Sequence, residues 1–176
     1  QEFGRFRFVT KFTCVEPLLG LEHGGKTEFR FSVNTSEAIK LFEHGTPPLN
    51  ARLQTAALVS AAGYPLGFLV APIFLSPGWQ EEYTTLFREM ASILPTTISP
   101  TFELISHRFT ARAKTNIASV FPASSLPMEE ADRRYKYGQF GYGKYVYPLE
   151  DMKAATSYFT TLVEQYFPTG KVLYFV

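Results

Sequence analysis

The segment Leu66-Gly67-Phe68-Leu69-Val70-Ala71-Pro72-Ile73-Phe74 constrains the fold most, because it is apolar throughout. It is too short to cross a membrane, which takes about 18 or more apolar residues. A strand with one wet face alternates apolar and polar residues, whereas a strand covered on both faces does not. We therefore predict that residues 66–74 form a buried strand of a parallel sheet.

Strand-like and helix-like patterns alternate along the rest of the chain. Further strands are predicted at residues 5–12, 27–34, 101–109 and 173–176. Helices are predicted from Thr35 or Ser36 to before Gly45, and over residues 50–62, 81–94, 113–120 and from 149 to 166, with one or two helical turns within 15–21. Such alternation favours an α/β fold, in which helices connect parallel strands.

Composition narrows the classes of function. The 176 residues suit about one domain, and the net charge of +1 means that binding of nucleic acid would need a local basic patch. The single cysteine, Cys14, excludes a disulfide within the chain and a cysteine-based metal site built by this chain alone, and it fits a reducing, intracellular setting. No signal peptide or membrane span is visible. Because the sequence has no initiator methionine, we expect a piece of a longer protein.

Residues 133–148 carry the clearest functional signal, because tyrosines and phenylalanine alternate with basic residues and glycines. Period-two alternation predicts extended strands, and the central glycines favour a tight reversal between them. The resulting hairpin would present rings and cations together, which is typical of nucleic-acid binding. The alternative is a hairpin whose tyrosines pack on the body of the protein.

Ligands of α/β sheets bind beyond the carboxyl ends of the strands. This rule selects Lys11 and Ser32, which would lie at the same level if their strands are neighbours, so that one small ligand could touch both. The alternative is that both are solvated residues at strand ends. The rule also selects Asn34, Ala71, Pro72, Ser106, His107 and Arg108. For His107 we favour a ring satisfied by nearby backbone, since it has no sequence-adjacent catalytic or metal-binding partner. Common dinucleotide, phosphate-loop, zinc-protease and serine-hydrolase motifs are absent.

Five segments, taken in order, resemble the C-terminal half of the spore photoproduct lyase family. They are residues 8–11, 25–34, 62–68, 101–109 and 133–147. Members of that family are radical S-adenosylmethionine enzymes that repair thymine dimers in spore DNA. The resemblance implies an α/β fold, the C-terminal part of a partial (β/α)6 TIM-like barrel with an added β-hairpin. Residues 1–122 would be the barrel strands and helices, and 123–176 the DNA-contacting hairpin, last helix and last strand.

The resemblance also implies the roles of particular residues. Lys11 and Ser32 match residues that contact S-adenosylmethionine, and the hairpin matches the part that meets the lesion. An Arg-Tyr pair of the family is replaced here by Gln139 and Phe140, so one charge and one hydroxyl are lost. The residues expected to contact thymine-dimer DNA are Arg134, Lys136, Gln139, Phe140, Tyr142 and Lys144. The expected location is the cytoplasm of a spore or bacterial cell.

The family's CxxxCxxC motif for a 4Fe-4S cluster is absent from this sequence, and Cys14 does not match the family's hydrogen-donating cysteine. Both the cluster ligands and the donor are expected upstream, so no catalytic residue or metal ligand is assigned here. The chain would then be the binding half of the enzyme. Two alternatives stay open: a nucleic-acid-binding module without catalysis, and a radical S-adenosylmethionine enzyme with a different substrate.

Overall fold

The computed structural model describes residues 4–138 and 141–176. The strands of this part are β1 (Phe6–Thr10), β2 (Thr27–Val33), β3 (Leu66–Ile73), β4 (Thr101–Ser106), β5 (Arg134–Tyr137), β6 (Gly143–Val146) and β7 (Lys171–Phe175). The helices are α1 (Ser36–Phe42), α2 (Leu49–Ala61), α3 (Trp79–Ile93), α4 (Ala111–Val120) and α5 (Leu149–Tyr166), with a 3-10 turn at Glu16–Leu18. No helix of this part is long and apolar enough to cross a membrane.

Five strands form one parallel sheet in the order β1-β2-β3-β4-β7. The apolar strand β3 lies at its centre, as its sequence predicts. Parallel neighbours require crossover connections, and α2, α3 and α5 supply three of them. The predicted α/β class with a parallel sheet is therefore confirmed.

The helix-covered face of the sheet forms an aromatic core. Phe68 and Phe102 stack on neighbouring strands with ring centroids 5.7 Å apart, and Phe87 of α3 stacks on Phe102 at 5.6 Å. Phe159 of α5 is fully buried beside them. Each such side chain contributes about 1.5–3 kcal/mol by leaving water. This packing holds the strands in their positions relative to one another. It therefore also sets the position of the sheet edge at which they end.

The opposite face of the sheet carries a buried charge network that the sequence patterns do not predict. Arg30 is fully buried and forms ion pairs with Glu28 and Glu103. Burial alone would raise the pKa of Glu28, but the hydrogen bond and charge of Arg30, followed by those of Arg7, hold it below its usual range. A Cβ at Gly67, which pairs with Arg30 in the sheet, would lie 2.8 Å from Arg30 Nε, so glycine makes room for the guanidinium.

The hairpin is confirmed, since β5 and β6 pair antiparallel. The predicted strand at 101–109 is too long, because β4 ends at Ser106 and the chain then leaves the main sheet. Phe109 instead forms an isolated antiparallel bridge with Tyr145 of the hairpin. The hairpin thus docks on the segment that follows β4.

Candidate functional site

Lys11 and Ser32 lie side by side at the carboxyl edge of the sheet. Thr10 pairs with Phe31 in the parallel register, so the next residue of each strand is Lys11 and Ser32 respectively. Both line a groove of about 530 Å³, here called the strand-end groove. Its walls are Val9, Thr10, Lys11, Ser32, Leu69, Ala71, Pro72, Ile105, Ser106 and Arg108. Lys11 and Ser32 therefore lie at the same level of the sheet, as the sequence predicts. The ligand that they would bind stays a prediction.

A network of two cations and one carboxylate supports this pair. Lys11 Nζ lies 3.3 Å from Glu43 Oε1, and Arg52 Nη2 lies 2.7 Å from Glu43 Oε2. Arg52 is fully buried, and its Nη1 donates a 3.0 Å hydrogen bond to the Ser32 carbonyl oxygen. Because one carboxylate faces two cations, a net positive charge remains beside the groove.

Glu43 and Arg52 were not selected from the sequence, although one signal pointed to Arg52. It precedes Ala56 by four residues, on the stripe of α2 that includes Leu53 and Val59 and faces the core. A charged residue on such a stripe needs buried partners. Its partner Glu43 follows α1, and that contact depends on tertiary folding.

Asn34 is structural rather than available to a ligand. It is buried, and its Nδ2 donates a 2.8 Å hydrogen bond to the Pro72 carbonyl oxygen. The Tyr83 hydroxyl donates to Asn34 Oδ1 at 3.2 Å and accepts the Phe74 backbone N–H at 2.9 Å. Burial raises the pKa of Tyr83, so its hydroxyl stays protonated. These bonds join the ends of β2 and β3.

His107 is also buried, with its ring between Phe74 and Phe109 at centroid distances of 5.0 and 5.8 Å. Burial, with the adjacent Arg133 charge, lowers the pKa of His107 to about 4. Arg133 Nη2 lies 3.4 Å from His107 Nδ1, and its N–H can donate a hydrogen bond to that nitrogen of the neutral ring. The expected backbone partner is therefore replaced by a side chain, and His107 belongs to the packing beneath the hairpin.

The hairpin separates its cations from two of its tyrosines. A second groove, of about 400 Å³ and here called the hairpin groove, lies between the hairpin and the end of the sheet. Its walls are Ser106, Arg108, Arg134, Lys136, Tyr137, Gly138, Lys144, Val146, Tyr147, Leu149, Met152, Phe175 and Val176. Tyr145 stacks instead on Phe109 at 5.2 Å, and Tyr135 meets Tyr145 edge-on at 5.2 Å. Tyr145 thus packs on the body of the protein, as one of the two alternatives expects, whereas nucleic-acid binding by the cationic face stays a prediction.

Tyr135 itself is 52% exposed, and two other tyrosines are accessible near the hairpin tip. Tyr137 is 73% exposed and Tyr142 is 51% exposed, so both can stack on a planar ligand. Lys144 Nζ lies 5.7 Å from the centroid of the Tyr142 ring. Gln139 and Phe140, which the sequence also assigned to the lesion, lie outside the described residues.

The two grooves adjoin, because Ser106 and Arg108 line both of them. The hairpin therefore opens on the same side of the sheet as Lys11 and Ser32. At the boundary between the two grooves, a ligand in the strand-end groove could touch a second ligand that is bound in the hairpin groove. Among residues 4–138 and 141–176, no group of three or more histidine, cysteine or acidic side chains is placed to hold a metal ion.

The family model described as spore photoproduct lyase matches residues 1–176. The spore photoproduct lyase of Bacillus subtilis is 46% identical over 177 residues, which cover 99% of this chain and 52% of that protein. The Clostridium acetobutylicum spore photoproduct lyase is 42% identical over 176 residues, covering all of this chain and 52% of that protein. The chain thus spans about half the length of these relatives.

Solved structures agree with the sequence matches. A spore photoproduct lyase complexed with dinucleoside spore photoproduct has a TM-score of 0.95 and 45% identity, with all of this chain and 52% of that chain covered. A mutant with bound AdoMet and dinucleoside spore photoproduct gives the same TM-score, identity and coverage. The described part of this chain therefore shares its fold with the matched part of these structures.

Proposed function

Because the chain belongs to the spore photoproduct lyase family, we propose that it is the cofactor- and DNA-binding part of a DNA repair lyase. The reaction is reversion of the spore photoproduct, 5-thyminyl-5,6-dihydrothymine, to two thymines in DNA. The observation that carries this proposal is the shared wall of Ser106 and Arg108 between the two grooves. That wall brings a small-molecule site and a cationic site to one boundary, as a reaction between cofactor and DNA requires.

The sheet itself is proposed to be the C-terminal part of a partial (β/α)6 barrel. All five strands are parallel, helices cover one face, and the other face holds the Arg30 charge network. A polar, partly open face suits the inside of a barrel that further strands complete. Within it, residues 1–122 would serve the cofactor side and residues 123–176 the DNA side.

Lys11 and Ser32 are proposed to bind S-adenosylmethionine, which a relative's structure contains as AdoMet. The net positive charge around Lys11 suits the cofactor's carboxylate, and the Ser32 hydroxyl suits its ribose or amino group. The groove of about 530 Å³ has the size of small-ligand sites. In this family the bound cofactor supplies abstraction of a hydrogen from the lesion, while Lys11 and Ser32 hold and orient it.

A 4Fe-4S cluster does not fit the residues of this chain. Such clusters are held by several cysteine thiolates, and the sequence contains only Cys14, which is exposed. We propose that its ligands lie elsewhere in the native protein.

The hairpin is proposed to hold the damaged DNA strand. The residues assigned to this contact are Arg134, Lys136, Gln139, Phe140, Tyr142 and Lys144. The three cations of this set line the hairpin groove, where they can neutralise phosphates. Tyr142 offers an exposed ring on which a base can stack. The lesion must leave the base stack to reach the strand-end groove, and a damaged base step costs less free energy to unstack.

The cytoplasm of a spore or bacterial cell is the proposed location.

The direct test is anaerobic reconstitution of the native full-length protein with iron, sulfide and S-adenosylmethionine. A dinucleotide carrying the spore photoproduct is then added, and restored thymine is measured by chromatography. The lyase proposal expects restored thymine that depends on S-adenosylmethionine. Salt-dependent DNA binding without any product would instead favour a binding module, and turnover of S-adenosylmethionine without thymine would favour another substrate.

A further inference from the structure

Arg108 occupies the boundary between the two grooves. It lies two residues beyond the end of β4, is exposed, and lines both cavities. Ser106, the other shared residue, is buried and donates its hydroxyl to the Val176 carbonyl oxygen at 3.0 Å. Arg108 is thus the shared residue whose side chain is free to meet a ligand.

The guanidinium of Arg108 has no hydrogen bond or ion pair within residues 4–138 and 141–176. The neighbouring Arg133, by contrast, is engaged by His107 and Pro127. A cationic side chain that lines a cavity without a counter-ion attracts an anionic ligand.

The charges around Arg108 also favour an anionic ligand at this position. None of the described residues that line either groove carries an acidic side chain. Arg134, Lys136 and Lys144 add three further cations on the hairpin side, and Lys11 adds one on the strand-end side. The excess of positive charge along the boundary attracts anions, and phosphate is the anion that a guanidinium fork matches best.

We infer that Arg108 binds the phosphodiester that links the two damaged nucleosides. The inference rests on the proposed function. The lesion joins two adjacent bases, so the phosphate between them must stay near the point where the bases enter the strand-end groove. That point is the boundary that Arg108 lines, whereas Arg134, Lys136 and Lys144 line the hairpin groove alone. Arg134, Lys136 and Lys144 would then bind the phosphates on either side of the lesion.

The experiment compares two ligands that differ only in this phosphate. One is the dinucleoside spore photoproduct, which lacks the linking phosphate, and the other is the corresponding dinucleotide, which has it. Affinity for each is measured by calorimetry on the native full-length protein, for wild type, Arg108→Ala and Arg108→Lys. Arg88→Ala is the control, because Arg88 is an exposed arginine of α3 that lines neither groove.

Arg108→Ala should weaken dinucleotide binding about tenfold and change dinucleoside binding less than twofold. Arg108→Lys should recover part of the loss, and Arg88→Ala should change neither affinity. Equal losses for both ligands, or unchanged dinucleotide binding, would overturn the inference while leaving the lyase proposal intact. A selective loss of S-adenosylmethionine affinity would also overturn it, by assigning Arg108 to the cofactor. If wild type binds neither lesion ligand, the proposed function fails, and this inference fails with it.

Discussion

Arg133 ties the base of the hairpin to His107: its Nη1 donates a 2.9 Å hydrogen bond to the His107 carbonyl oxygen. The same guanidinium lies 3.5 Å from the centroid of the Tyr147 ring, which follows β6. One side chain therefore spans from the segment after β4 to both ends of the hairpin. This contact anchors the base of the hairpin, whose cations line the hairpin groove.

The buried His107 should make stability depend on pH. Its folded-state pKa is about 4, below the ordinary 6.5, because burial and the Arg133 charge disfavour the imidazolium. Between those values the unfolded chain binds a proton that the folded chain does not. The contribution of neutral His107 is therefore complete above pH 6.5 and is lost as pH falls toward 4.

We expect acidification from pH 7 to 4.5 to lower the free energy of unfolding by about 2.5 kcal/mol more in wild type than in His107→Gln, at about 1.4 kcal/mol per pKa unit. Urea unfolding at both pH values measures this difference. His44→Gln is the control, since His44 is exposed. An identical pH dependence in wild type and His107→Gln would contradict the assigned pKa.

Lys136 and Lys144 face each other directly across β5 and β6. Like charges in that position destabilise a hairpin, unless an anion lies between them. Replacing both by Ala should weaken binding of single-stranded DNA and reduce the slope of log affinity against log salt by about 1.4, because each lost phosphate contact accounts for about 0.7. A salt titration by fluorescence anisotropy measures the slope.

The control for the lysine pair is the double variant Arg88→Ala and Lys171→Ala. It removes the same charge from exposed positions that line neither groove. We expect its salt slope to match wild type. If the two double variants shift the slope equally, only net charge matters and the hairpin is not the DNA contact.

Lys11 should contribute to cofactor affinity through its charge. Lys11→Met keeps most of the side-chain stem but leaves Glu43 facing Arg52 alone, so the net positive charge beside the groove disappears. A charge-assisted hydrogen bond is worth about 1.5–3 kcal/mol, which corresponds to a loss of at least about tenfold in S-adenosylmethionine affinity. Equilibrium dialysis measures it, and Lys40→Met on the exposed side of α1 is the control. Unchanged affinity in Lys11→Met would remove the assignment.

Gly67→Ala should destabilise the protein without touching either groove. The added Cβ would lie 2.6 Å from Glu28 Oε1 and 2.8 Å from Arg30 Nε, so the buried ion pairs must shift. Overpacking of this kind costs about 1–3 kcal/mol, measurable as a lower urea midpoint. Gly20→Ala provides the control, because no heavy atom of the described residues beyond Gly20 and its two chain neighbours lies within 4 Å of its Cβ position. Equal midpoints in the two variants would show that the sheet face yields freely.

Much of the site followed from local patterns. The apolar run at 66–74 indicated the central strand, and the alternation at 133–148 indicated the hairpin, because both are set by which faces of a strand are covered. The level of Lys11 and Ser32 followed once their strands were taken as parallel neighbours. The predicted strand 101–109 was wrong at its C-terminal end, because Phe109 pairs with Tyr145 of the hairpin. The two residues are 36 positions apart, and no local sequence pattern predicts such a contact.

The sequence by itself determined the alternation of strands and helices, the residues at the strand ends and the basic, aromatic character of the hairpin, since these depend on neighbouring residues. Only the tertiary structure decided that Glu43 is shared by Lys11 and Arg52, that Arg30 is buried over Gly67, and that Arg108 lies between the two grooves. Those relations join residues distant in the chain, and buried charges select their partners only when packing brings them together and removes water.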